Sequence, residues 1–151
     1  MKLLRRSEKK DLFKRIDKDY NCNSAEIFGK KALFIDGENN VFMISKDFDR
    51  VDLKQFRIKS AGLLIGYLSR GFIFTVEGSQ LIGNFVKNKA ELDFKGIEGW
   101  VKGKDVRVNL ENGLYVVKYG NDFYGSGFVL SGVLKNTLDK MRIVKEDVKL
   151  D

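Results

Sequence analysis

Near the start of the chain apolar residues recur at helical spacing. Leu12, Phe13, Ile16 and Tyr20 share one face of a segment that Ser7 is placed to cap, which predicts an amphipathic helix over 8–19. On the opposite side Arg6, Lys10, Lys14 and Lys18 follow one another by four residues and form a basic stripe turned away from the core. A stripe of this kind suits either a solvated face or contact with phosphate. Beyond it the period changes to that of strands. The apolar runs 32–35 and 41–44 flank Asp36, Gly37, Glu38, Asn39 and Asn40, which predicts a hairpin. A second hairpin is predicted from 63–68 and 72–76, joined by Ser69, Arg70 and Gly71, with the glycine where a positive φ is wanted. Ser79 then opens a helix carrying Leu81, Ile82, Phe85 and Val86, and Lys87, Asn88 and Lys89 close it. A domain boundary is expected here, with residues 1–89 and 90–151 as the two units.

The second unit is richer in strands. A short strand at 91–94 and a short helix in which Ile97, Trp100 and Val101 share a face precede a run where Val106, Val108 and Leu110 alternate with Arg107 and Asn109. After the Asn112-Gly113 turn, 114–119 faces 123–130 across Gly120, Asn121 and Asp122. Val133, Leu134, Leu138 and Met141 suggest a short helix, and 142–148 a last strand. Five strands in so short a segment point to a small barrel, because closing the sheet removes edges that it could not otherwise protect. The fold class is therefore α+β.

Charge adds an asymmetry that the pattern does not show. The formal net charge is +7, yet residues 1–90 hold 18 Lys and Arg against 11 Asp and Glu, whereas residues 91–151 hold 10 against 10. Polyanions become plausible partners of the first part. One cysteine, Cys22, forms no intramolecular disulfide, and only Leu3 and Leu4 precede Arg5 and Arg6, so no signal peptide is expected and the compartment is read as reducing and cytoplasmic. The longest apolar run, 61–68, is interrupted by Gly62 and Gly66 and falls short of the roughly 18 residues a membrane span needs, so no membrane partner is expected.

Candidate catalytic chemistry is sparse. The chain has no histidine, hence no imidazole base and no Ser-His-Asp set, and one cysteine makes no zinc site. The 99–105 segment is no phosphate loop, since the position five before Gly103 is Glu98 and not glycine, and Asp105 stands where Ser or Thr is needed. Gly125-Ser126-Gly127 lies within a strand pair and not between a strand and a helix, which favours close packing or a bulge over a dinucleotide fingerprint. The carboxylate pairs Asp17 with Asp19 and Asp47 with Asp49 read as solvated, turn-like positions. Trp100 reads as core. An enzyme is not expected, and no cofactor or metal is implied.

The hairpin 114–130, in which an apolar strand ends in a Gly/Asp turn and the next carries Gly125-Ser126-Gly127, resembles the signature hairpin of PUA domains. The upstream 92–106 segment, with Trp100 and Gly103, is similar to the opening strand, helix and turn of that family. Ser60, Gly62 and Gly66 in 60–68 are similar to a strand motif in the pre-PUA domain of ribosome-biogenesis factors of the nuclear-import-protein-seven family. Val133 to Asn136, however, is closer to the PUA segment of Sun-type RNA cytosine methyltransferases. The resemblance implies a pre-PUA domain followed by a PUA pseudobarrel that binds RNA, ribosomal or tRNA-like, without turnover. It also implies a site of Lys102, Lys104, Arg107, Lys135, Asn136, Lys140, Arg142 and Lys145; the stripe of Arg6, Lys10, Lys14 and Lys18, read from its spacing, is a secondary candidate. Lysines would neutralise phosphates, and Asn136 or an exposed aromatic such as Tyr124 could touch an unstacked base. The alternatives are a protein-interaction module and an accessory subunit guiding a separate RNA-modifying enzyme; ribosome-assembly or RNA-modification proteins would be the partners.

Overall fold

The computed structural model describes residues 1–44, 62–140 and 143–145. Asp47, Asp49, Ser60, Met141, Arg142 and positions 146–148 of the expected last strand lie outside these residues. Among the described residues the chain forms two five-stranded sheets with helices against them, an α+β architecture.

The first sheet runs β1 (Lys2–Leu3), β2 (Ala32–Ile35), β3 (Asn40–Ile44), β4 (Leu63–Leu68) and β5 (Phe72–Phe74), each pair antiparallel. Both expected hairpins form, with Ile35 opposite Val41 and Leu68 opposite Phe72. Asp36 holds the first turn by accepting the N–H groups of Glu38 and Asn40, both at 2.9 Å. Gly71 differs from expectation. It does not adopt a positive φ; it is needed for close approach, since a Cβ there would lie 2.5 Å from Leu114 Cδ1.

Helix α1 (Arg6–Tyr20) buries Leu12, Phe13, Ile16 and Tyr20 as its spacing predicts. Its cap is Arg5 and not Ser7, because Glu8 folds back to accept the Arg5 backbone N–H at 3.0 Å, a stronger anchor for the first turn than an exposed serine. The helix ends on Asn21 in the left-handed region, and the carbonyls of Tyr20 and Asn21 receive the N–H groups of Asn88 and Lys87. The short helix α2 (Ala25–Phe28) follows, and Lys9 Nζ donates to the carbonyls of Gly29 and Lys31 just beyond it. Burial lowers the Lys9 pKa.

Helix α3 (Val76–Ile82) is capped by Thr75, whose hydroxyl accepts the Gly78 N–H at 3.0 Å. The expected cap Ser79 is instead inside the helix and buried, with its Oγ bound to the Val76 carbonyl and accepting the Gly125 N–H. Strand β5 correspondingly stops at Phe74.

The second sheet has the order β6 (Lys89–Glu91), β8 (Gly113–Tyr119), β9 (Asp122–Leu130), β10 (Val133–Lys135), β7 (Val106–Arg107). All its pairs are antiparallel except β6 with β8. The first strand lies earlier than the expected 91–94, because Asp93 caps helix α4 (Phe94–Val101) and draws Phe94 into it. β7 is shorter than its alternation suggests, although Val108 and Leu110 remain half-buried. Val133 and Leu134, expected in a helix, pair with both β9 and β7; pairing with the edges of these two strands outweighs the weak helical spacing. Residues 143–145 carry no strand. The Gly125 expectation holds: β9 has one more residue than β8 between the Val116–Ser126 and Lys118–Phe123 pairs, and Gly125 takes φ +87° there, so this is a bulge.

Each sheet face has its own core. One face of the second sheet packs Val117, Val129 and Leu134 against Ile97 and Trp100 of α4. The other contributes Leu114, Val116 and Phe123 to a larger core with α1, β5 and α3.

Candidate nucleic-acid interface

The C-terminal end of α4 organises the cationic residues of the second sheet. Ile97 and Trp100 fix the helix to the sheet; Trp100 is fully buried and its Nε1 donates to the Tyr124 carbonyl at 2.8 Å. The helix stops because Gly103 takes φ +85°, which lets its N–H reach the Trp100 carbonyl and the Lys104 N–H reach the Gly99 carbonyl. This is a Schellman closure, and it accounts for the glycines at 99 and 103 that superficially suggest a phosphate loop. Lys102 and Lys104 flank the turn.

Three distant segments then converge on it. Asn136 donates both amide hydrogens inward, to the carbonyls of Trp100 at 2.7 Å and Lys104 at 3.1 Å, and its Oδ1 accepts the Leu138 N–H. Lys135 lies 3.5 Å from Asp105, whose other oxygen accepts the Asn136 N–H. The Val144 N–H bonds the Val101 carbonyl at 2.7 Å and the Ile143 side chain covers Gly103, which brings Lys145 to the same turn, while the Lys140 carbonyl accepts the Ile143 N–H. Arg107, opposite Val133, stands at the neighbouring edge.

Residues spread over more than forty positions thus surround one helix end. Lys104, Arg107, Lys135, Lys140 and Lys145 are exposed and Lys102 is half-buried. Arg142 lies outside the described residues. Lys102, Arg107, Lys140 and Lys145 have no carboxylate at ion-pair distance among the described residues. The helix dipole is negative at this end and favours the cations. Ammonium groups so placed can meet phosphate oxygens but read no base. Asn136, expected to touch a base, has its amide engaged in holding the turn, and Tyr124 is half-buried and not the exposed aromatic expected.

The basic stripe of α1 is a separate surface. Arg6, Lys10, Lys14 and Lys18 are all exposed, whereas three of the helix acids are engaged with the fold. Glu8 binds Lys2 and Arg5, and these hydrogen bonds, that of Lys2 first, hold its carboxyl at about 2. Asp17 accepts the Ser24 N–H at 2.7 Å and Asp19 the Phe72 N–H at 2.9 Å, so neither is the solvated, turn-like carboxylate its sequence setting suggests. Asp11 remains exposed beside the stripe. Since α1 packs on one face of the second sheet and α4 on the other, the fold does not bring the two cationic groups together.

The cysteine thiol is half-buried. Burial, then the charge and hydrogen bond of Asp17, push the Cys22 thiol up to about 12, which makes it a poor nucleophile. A groove of about 440 Å³ between the sheets is lined by Tyr67, Thr75, Val76, Thr137 and Leu138 among others. Among the described residues there is no cluster of three His, Cys, Asp or Glu able to hold a metal, and no helix long and apolar enough to cross a membrane.

No curated protein matches the chain. Residues 87–144, which span β6 to β10 and the turn of α4, match the family described as the methyltransferase RsmF PUA domain, and the second sheet with its helix is accordingly a PUA pseudobarrel similar to that of the Sun-type enzymes.

Proposed function

We propose that this chain is a non-catalytic RNA-binding protein that grips structured RNA, ribosomal or tRNA-like, during ribosome biogenesis or RNA maturation in the cytoplasm. PUA domains bind RNA in general, and the observation that carries the reading is the convergence of Lys102, Lys104, Lys135, Lys140 and Lys145 on one helix end of such a domain. Lysines there supply sequence-independent phosphate energy, with limited base contact beside it. The absence of histidine and the raised Cys22 thiol leave little for general acid–base or nucleophilic chemistry, which supports binding without turnover.

A second reading is favoured by the family match itself, since the matched domain is one carried by a methyltransferase. In that reading the chain is an accessory subunit that presents RNA to a separate modifying enzyme, or a docking module for it.

Salt response tests the RNA reading. Affinity for a structured RNA should fall with a log–log salt slope of about −3 if four phosphates are neutralised. Replacing Lys102, Lys140 and Lys145 together by Ala should flatten that slope by about 2 without moving the melting temperature. A slope near zero for the unaltered protein removes the RNA reading and leaves the docking module.

A further inference from the structure

Among the described residues, strand β9 is longer than the surface that covers it. On the face turned toward α1 and β5, its residues 126, 128 and 130 follow one another, as the direct pairings Val116–Ser126, Leu114–Phe128 and Leu130–Val133 require. Ser126 is fully buried under Tyr20 and Phe74. Among the described residues the cover stops past Leu114, and Phe128 is left 39% exposed and Leu130 48% exposed. Isolated exposed apolar residues are ordinary, but these two are neighbours on one face of a strand and have cations beside them. Lys135 is the direct cross-strand partner of Phe128, and Arg107 lies in the same row as Leu130 and Val133. On the opposite flank, Gly71 closes against Leu114 and the Asp19 carboxylate, which Arg15 pairs, and Arg70 beside it is exposed.

We propose that this face is a stacking platform for an unpaired base of single-stranded RNA, with Phe128 beneath the base and Lys135 and Arg107 on the flanking phosphates. The proposal rests on the RNA reading above and adds to it a second, single-stranded contact surface. An aromatic ring stacks on any base, while the surrounding cations follow the backbone, and together they bind single strands with little sequence preference. The charge frame selects this occupant over an apolar protein surface, which would leave Arg107 and Lys135 desolvated and poorly paired. Asp105, 3.5 Å from Lys135, does not oppose it: both partners are about half exposed, a pair of that kind is worth little, and a phosphate can replace the carboxylate.

The test uses the full chain, a short oligouridine and a blunt RNA duplex. Phe128→Ala should weaken oligouridine binding by about 5- to 150-fold, the range of one base–aromatic stack, at unchanged melting temperature. Phe128→Tyr should retain the affinity. Phe128→Trp should give indole fluorescence that is quenched when oligouridine binds, against the constant emission of the buried Trp100, and duplex binding should be the same for all variants. Unchanged oligouridine affinity in Phe128→Ala overturns the platform, as does an equal loss on the duplex. So does a loss of self-association with no change in RNA affinity, which would make this face a contact between copies of the chain. These failures leave the RNA reading standing as long as Lys102, Lys140 and Lys145 govern duplex binding. If neither RNA binds the unaltered protein, both readings fall together.

Discussion

At the scale of single residues, Ser126 is the position whose importance is least visible in the chain. It sits in a glycine-flanked triplet that reads as close backbone packing, yet its hydroxyl joins the two halves of the molecule. Tyr20 donates its phenolic O–H to the Phe72 carbonyl, its oxygen lies 2.7 Å from Ser126 Oγ, and Ser126 Oγ also accepts the Phe74 N–H at 3.0 Å. All of these groups are buried, and burial raises the Tyr20 pKa. A buried donor left without a partner costs about 1–3 kcal/mol. Ser126→Ala strands the Phe74 N–H, so it should lower stability by that amount in urea unfolding, whereas Ser126→Thr, which keeps the hydroxyl but adds a methyl in a full site, should show how much of the loss is packing. A Ser126→Ala protein as stable as the parent would show that water replaces the hydroxyl.

At the scale of elements, legibility followed the strength of the local period and the distance of the deciding partner. Helix α1 was readable because Leu12, Phe13, Ile16 and Tyr20 satisfy one template without competition, and the β8–β9 hairpin because its alternation is long. The short elements were not. Val133 and Leu134 fit a helix as well as a strand, and only the edges of β9 and β7, unreadable locally, decide between them. The caps at Ser7 and Ser79 failed because a better group lies nearby, the Glu8 carboxylate in one case and the Thr75 hydroxyl in the other. For the site, the cations were readable as residues but not as a group, since the Schellman turn at Gly103 gathers them, and Phe128 was missed because its exposure depends on where the N-terminal half ends.

The fold also shows why the α1 stripe is a cleaner cation surface than its composition suggests, since Glu8, Asp17 and Asp19 are tied to backbone N–H groups. Lys10→Glu with Lys14→Glu should therefore leave the melting temperature nearly unchanged. If RNA extends over this helix, the change should flatten the salt slope by about 1.4, two contacts at about 0.7 each. The effect should add to that of Lys102, Lys140 and Lys145, because the sheet separates the two groups. An unaltered slope confines RNA to the second sheet.

At the scale of the whole molecule, the seam near residue 89 is not an energetic division. Leu114, Val116 and Phe123 of the second sheet are buried in one core with α1, β5 and α3, and the Lys87–Asn88 link bonds the last carbonyls of α1 on one side while the Asn88 carbonyl accepts the Val116 N–H on the other. Burial of those three side chains is worth about 1.5–3 kcal/mol each, or roughly 5–9 kcal/mol together, comparable to the 5–15 kcal/mol that holds a whole domain folded. Either half alone is therefore expected to fold poorly. The intact chain should consequently unfold in a single transition, with the calorimetric and van't Hoff enthalpies equal. A fragment of residues 90–151 should lose near-ultraviolet ellipticity and bind a hydrophobic dye, because it exposes Leu114, Val116 and Phe123 at once. Two separated transitions, or a fragment with native-like spectra, would show that the α4 core around Trp100 suffices and that the shared core only orients two independent units. The distinction bears on binding as well: the Phe128 face is bounded by Gly71 of the first half, so its shape exists only while the seam is closed.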